Sequence, residues 1–437
     1  MKKKLGFWSV LSLVVGNMVG VGIFIMPSIL APYGSLSLLG WVLTLGGALF
    51  IALVFSKLSS VLPSVGGPYA YARAGFGDFI GFQTAWTYWI SLWVGSTATI
   101  VSTLGYISIL WPKIATDPIF SFGTGLGIIW VLTLINLISI SFAGRFQLII
   151  TIVKLLPLAL VFFFAIPHVN LENFALINPS GKPPLMGLIE VGALTMWGFI
   201  GLESATIPAD YVENPKKTIS RATILGVLIV GFLYISISSL IIGLVPNDVL
   251  QKSPASFALA AGTIFGKGGA LFVACAAVLG GVGSLNGWFL IQAQIPLAAA
   301  RDRLFPKRFQ KITSNGTPIF SLLSTAILMS ALLFMNYNKN LIQTFHFMVT
   351  LATLSILITY LFSVLSELML FLEKPQKFRK RDLAKALALT VPATAYILVA
   401  LIGAGQEIMM WGSFMFFASA PIYILVKWQN RSYPLTP

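Results

Sequence analysis

From Phe7 to Lys427 the chain runs through one apolar stretch after another, separated by short polar or Pro/Gly-rich connections. A bilayer core about 30 Å thick is crossed by roughly 20 apolar residues in a helix. With 57% hydrophobic and only 9% charged residues, against roughly 25% charged in an average soluble protein, the chain cannot build a water-facing surface. The stretches define twelve candidate spans at 6–31, 37–61, 79–110, 124–142, 146–166, 186–209, 221–245, 268–299, 318–335, 344–371, 383–404 and 408–427. The expected fold class is an all-α polytopic membrane protein, with residues 1–437 forming a single membrane domain. Its basic start and first apolar run imitate a signal peptide, but no small-residue cleavage site follows. We read it as an uncleaved first helix.

A net charge of +15 raises the question of an anionic partner. With the amino terminus inside, 22 Lys and Arg residues fall on the side of both termini and 5 on the other, with Lys154 left within a span. The positive-inside rule then predicts a multi-pass protein of the cytoplasmic membrane with both termini cytoplasmic. Basic residues that follow alternate loops, without aromatics on a shared face, do not describe a nucleic-acid surface. Two histidines and one cysteine make no recognisable ligand set, so neither a metal nor another cofactor is expected. Cys275, inside the apolar run from Leu271 to Leu279, reads as a small buried hydrophobe. Without a nucleophile–base pair in the membrane the chain does not read as an enzyme. Nor does one internally pseudo-symmetric chain offer the rings of charge or carbonyls that a channel uses.

Two spans carry unusual clusters. The first holds Gly16-Asn17-Met18-Val19-Gly20-Val21-Gly22, and the sixth holds Trp197-Gly198-Phe199-Ile200-Gly201-Leu202-Glu203-Ser204. Both lie near mid-depth, where a helix that unwinds frees N–H and C=O groups that lipid cannot satisfy. Packing glycines in ordinary kinked spans would explain either cluster alone. Their correspondence, each in the first span of a half, points instead to inverted repeats with interrupted helices, the pattern of secondary transporters with a midplane site. Half-helix N-termini suit a carboxylate, and freed carbonyls an ammonium group.

Those two clusters, with Gly66-Gly67-Pro68-Tyr69-Ala70-Tyr71-Ala72 and Glu213-Asn214-Pro215, resemble the amino acid-polyamine-organocation transporters, most closely the basic amino acid/polyamine antiporter branch. The resemblance covers nearly the whole chain. It implies a LeuT-type fold of two inverted five-helix repeats, roughly 6–166 and 186–371, with two further helices at 383–427. It implies alternating access for an amino acid or amine, by exchange or with protons, in a chain embedded in the lipid bilayer and compatible with a homodimer.

Residue by residue, the resemblance places the substrate carboxylate at the backbone of Val21 and Gly22, beside Asn17, and its ammonium at the carbonyls of Met18, Trp197 and Ile200. Where the branch has a serine hydroxyl, this chain has Val21, so the backbone would act alone. Ser91, Leu92, Ser96, Thr99 and Ala352 match the region around the substrate side chain; Ser96 and Ala352 depart from the Asn and Ser of the arginine antiporters, so a smaller or less specific amino acid, or a proton-coupled symport of small neutral amino acids through Lys154, is equally compatible with these residues. Trp197 matches an outer gate and Trp288 an inner one, the latter with Tyr88, Glu203 and Tyr360. An intramembrane carboxylate such as Glu203 marks a pathway or a proton relay by default. Lys154 lies too deep to snorkel and is similar to the fifth-span lysine that replaces sodium in proton-coupled members. It either cycles its proton or serves as a fixed cation. Glu367, near the cytoplasmic end of the tenth span, is expected at the membrane interface.

Overall fold

The structure is a computed structural model, and it describes residues 5–62, 67–138, 157–206, 212–313, 316–373 and 380–431. Among these the chain is helical without a sheet, its one β-like contact being an isolated parallel bridge between Leu5 and Val212. The helices are α1 (Phe7–Met18), α2 (Met26–Leu30), α3 (Leu36–Val61), α4 (Pro68–Phe76), α5 (Asp78–Leu110), α6 (Pro118–Ile138) and α7 (Pro184–Met196). They continue as α8 (Pro215–Leu244), α9 (Ser256–Arg301), α10 (Ile319–Met335), α11 (Leu341–Glu373), α12 (Lys380–Gly403), α13 (Gln406–Phe417) and α14 (Ser419–Arg431). Eight helices among the described residues are long and apolar enough to cross a membrane, and α1 with Gly22–Tyr33 makes a ninth if that bent pair is one span. These findings make the chain a polytopic membrane protein.

Expected and observed spans coincide within a few residues for α3, α5, α8, α11 and α12. The eighth, expected from residue 268, begins where Gly266 takes φ +67° and turns the long α9 segment; only glycine tolerates that conformation cheaply. Of the fifth only the part from 157 is described, and Lys154 lies outside the described residues. α4 was not anticipated as a helix. Pro68 opens it at a position that needs no N–H, and Gly77 closes it at φ +81°.

Burial sorts the spans. The apolar window of α5 is 94% buried, against 17% for Gln406–Asn430, so α5 is the central post and the last two helices are peripheral. α5 packs along α9 and α11, while α8 packs on α3 and α1. Cys275 is exposed, contrary to expectation. It sits on a helix that is apolar all round, where composition cannot say which face meets the protein and which the lipid. Glu367 departs too. It is only 5% exposed, its carboxylate 2.6 Å from Lys57 Nζ of α3, and it accepts from Thr390 Oγ1 of α12.

At the same end, α4 is clamped between the starts and ends of longer helices. Arg73 Nε donates to Asp78 at 2.9 Å, its Nη1 lies 3.4 Å from Asp302, and Tyr69 donates to Asp302 at 3.0 Å. Burial, with the Asp302 carboxylate beside it, raises the Tyr69 hydroxyl well above its ordinary value. Lys427 reaches Asp78 at 3.0 Å from the last helix.

Candidate functional site

Both clusters break their helices. α1 ends at Met18, the chain restarts as a 3-10 turn at Val21–Ile25, and the two helical directions differ by 42°. α7 ends at Met196, followed by a 3-10 turn at Trp197–Phe199, an extended Ile200, and Gly201 at φ +109° before a second turn at Leu202–Thr206. Gly201 is required twice over. A side chain there would be strained by the positive φ, and its Cβ would lie 3.1 Å from Asn17 Cβ. The breaks therefore touch backbone to backbone.

Between them lies a cavity of about 40 Å³, room for only a few water molecules. Asn17, Met18, Gly22, Ser91, Leu92, Ser96, Thr99, Trp197, Ile200 and Trp288 line it. Ala352 does not. It is fully buried behind Gly95, 3.8 Å from where a Cβ on that glycine would stand. Val21 opens the 3-10 turn, where the first N–H groups lack intrahelical partners. The indole of Trp197 bars the cavity, with Nε1 3.0 Å from a Cβ built on Gly22 and Cη2 2.5 Å from one built on Gly95.

The wall also includes Gly20 and Gly198 of the two clusters, and Ile23, Gly95 and Tyr234, which sequence reasoning missed. Tyr234 carried a faint signal as a polar aromatic within an apolar span. Its hydroxyl donates to Met18 O at 2.8 Å, and Gly20 N–H donates to the same oxygen at 2.9 Å. The Met18 carbonyl expected to meet an ammonium group is thus already engaged. Trp197 O accepts from Ile200 N–H at 3.2 Å.

The hydroxyls of the far wall have a definite polarity. Ser96 donates to Gln292 Oε1 at 3.1 Å, and Thr99 donates to Gly95 O at 3.0 Å. Each spends its proton on the protein and turns lone pairs toward the cavity. Ser91 Oγ is buried with no partner among the described residues.

Beneath the breaks, Glu203 is 1% exposed and brings together the residues expected beside it. Tyr88 donates to Oε1 at 2.9 Å, while Tyr360 and Gly201 N–H donate to Oε2. One carboxylate thereby fastens α5 and α11 to the second break.

Two interrupted membrane helices that meet at a small cavity, barred by an aromatic side chain, define a membrane carrier. Residues 5–426 match the amino acid permease family. The chain is 32% identical over 332 residues to a cadaverine/lysine antiporter of Escherichia coli (strain K12), covering 76% of this chain and 74% of that one. It is 32% identical over 397 residues to a putative arginine/ornithine antiporter of Bacillus subtilis (strain 168), covering 84% of each, and 28% identical over 428 residues to the putrescine transporter PotE of Escherichia coli (strain K12), covering 97% and 96%. The chain belongs to the amino acid permease family, within the amino acid-polyamine-organocation superfamily, and is a transporter of that family.

Proposed function

We propose that this transporter exchanges cationic amino acids for amines across the cytoplasmic membrane, with both termini cytoplasmic and twelve spans arranged as the two inverted repeats and two additional helices described above. The carrying observation is the polarity of the cavity wall. Ser96 and Thr99 spend their protons on Gln292 and Gly95 and face the cavity as acceptors, which suits a substrate whose far end brings donors. A terminal ammonium does so, and the indole faces of Trp197 and Trp288 suit a cation as well. The relatives named as antiporters of lysine, cadaverine, arginine and ornithine support the same class.

In this reading the α-carboxylate sits on the N–H groups of Val21 and Gly22, at the positive end of the restarted helix. The α-ammonium sits at the carbonyls of Trp197 and Ile200, with Met18 O available when Tyr234 yields it. Trp197 closes the outer side; Trp288, Tyr88, Glu203 and Tyr360 close the inner one. Glu203 is the proton-linked group of the break, and Lys154, by its place in the sequence, supplies the second reading, a proton-coupled carrier.

The test is uptake of labelled lysine, ornithine, arginine, alanine, putrescine and cadaverine into proteoliposomes. Vesicles preloaded with unlabelled substrate are compared with empty ones under an inward proton gradient. Exchange requires uptake only into preloaded vesicles. Uptake into empty acid-driven vesicles that Lys154→Ala abolishes establishes the proton-coupled reading instead.

A further inference from the structure

A second cavity, of about 640 Å³, lies at the end of the molecule opposite the Arg73–Asp78 clamp, on the continuations of both broken helices. Ile29 of α2, Leu194 of α7 and Thr350 of α11 line it, and Leu194 stands three residues before Trp197 on its helix.

Its charged groups are arranged as two pairs. On one wall Lys182 Nζ lies 2.7 and 2.8 Å from the two oxygens of Glu190, which also accepts from the Tyr33 hydroxyl at 2.8 Å. On the other, Lys339 Nζ lies 3.9 Å from Glu407 Oε1 and 4.7 Å from the centroid of the Phe347 ring. Lys339 is 41% and Glu407 64% exposed. Partly exposed pairs of this kind are weak and change partners readily. His346, Gln343, Gln406, Gln251, Ser28 and Thr350 add to the polar lining.

We infer that this vestibule is a binding site for a free α-amino acid, filled before the central cavity opens, where the ligand's carboxylate and ammonium exchange partners with the Lys339–Glu407 and Lys182–Glu190 pairs. The inference rests on the carrier reading and orientation proposed above. Lys339 already shows what the wall holds, since its tethered ammonium occupies a carboxylate and an aromatic face together, the combination that receives alkylammonium ions. An incoming ammonium that takes Glu407 releases Lys339. An amino acid brings a carboxylate to meet the freed lysine, whereas a diamine leaves two cations side by side. The two lysines therefore select the amino acid over its decarboxylated amine at the outer face, although both fit a cation-seeking central cavity.

Intact cells preloaded with unlabelled substrate allow exchange to be read from the outer face, with L-lysine and cadaverine as external probes. In Lys339→Gln the half-saturation concentration for lysine should rise about two- to fivefold, the range an exposed ion pair is worth, and in Lys182→Gln, whose partner Glu190 is only 13% exposed, by at least as much. That for cadaverine should stay level or fall. Glu407→Gln should weaken both probes, because both carry an ammonium, and Lys339→Arg should keep the wild-type ratio. Equal shifts for the two probes in Lys339→Gln, or none, overturn the inference. Wild-type cells that exchange neither the probes nor any other amino acid overturn the carrier reading instead.

Discussion

Trp197 spans the central cavity as a bar of fixed length, and Gly95 is where its far edge lands. A Cβ on Gly95 would stand 2.5 Å from Cη2 and 2.8 Å from Cζ3 of the indole, about 1 Å inside the optimal carbon separation of ~3.5–4.0 Å. At its other end Nε1 lies 3.0 Å from where a Cβ on Gly22 would be, so both ends of the ring lie over glycines. Gly95→Ala should therefore cost about 1–3 kcal/mol in this closed conformation, as overpacking does in dense interiors, which is a factor of roughly 5 to 150 in its population. A phenyl ring lacks the outer edge of the indole, so in a Trp197→Phe background the same methyl should cost little. The double-mutant cycle isolates that overlap from the separate loss of indole contacts. Exchange rates of the four proteins in proteoliposomes, with thermal unfolding of each in detergent, give the coupling energy. A Gly95→Ala effect of equal size in both backgrounds would refute the account of Trp197 as a length-matched bar.

Gly201→Ala should lower the unfolding midpoint and exchange together, because φ +109° strains an alanine by about 1–3 kcal/mol and its methyl would wedge the breaks apart at Asn17; an unchanged midpoint contradicts this. At the Lys57–Glu367 pair the two deletions should be unequal, since Lys57 is 28% and Glu367 5% exposed. Lys57→Met strands a buried carboxylate and should approach the ~3–5 kcal/mol of a broken buried pair, while in Glu367→Leu the lysine still reaches water. The reverse order of unfolding midpoints would count against the burial argument. Tyr234→Phe removes one of the two donors on Met18 O, so stability should fall by about 0.5–1.5 kcal/mol while the half-saturation for substrate falls rather than rises. A raised half-saturation would mean that the hydroxyl contacts substrate directly.

The breaks were legible in the sequence because a backbone requirement selects residue types locally. Gly201 must be glycine for its φ and for the approach of Asn17, and a glycine-rich cluster inside an apolar run announces both. The grouping of Glu203 with Tyr88 and Tyr360 came from resemblance, since nothing in the spacing of residues 88, 203 and 360 tells that their side chains meet. Partners across distant spans stayed hidden for the same reason. Glu367 looked like an interfacial carboxylate because it sits near a span end, and only the packing of α3 and α12 against α11 buries it on Lys57. Cys275 marks another limit. Where a helix is apolar on every side, as lipid permits, periodicity no longer distinguishes inside from outside.

An unwound helix in a membrane must satisfy its freed backbone groups in every state through which the carrier passes, with or without cargo. Here the protein does so in part with its own groups. Tyr234 holds Met18 O and Glu203 holds Gly201 N–H, while Ile200 N–H turns back onto Trp197 O. A substrate that takes these positions displaces a partner, so its binding energy is a difference between two sets of hydrogen bonds, small beside the worth of either set. That difference suits a transporter, because cargo held by groups with no alternative partner would be slow to leave. The intramolecular partners of the breaks are in this sense what allows turnover, and the small volume of the cavity follows from the same contacts that satisfy it.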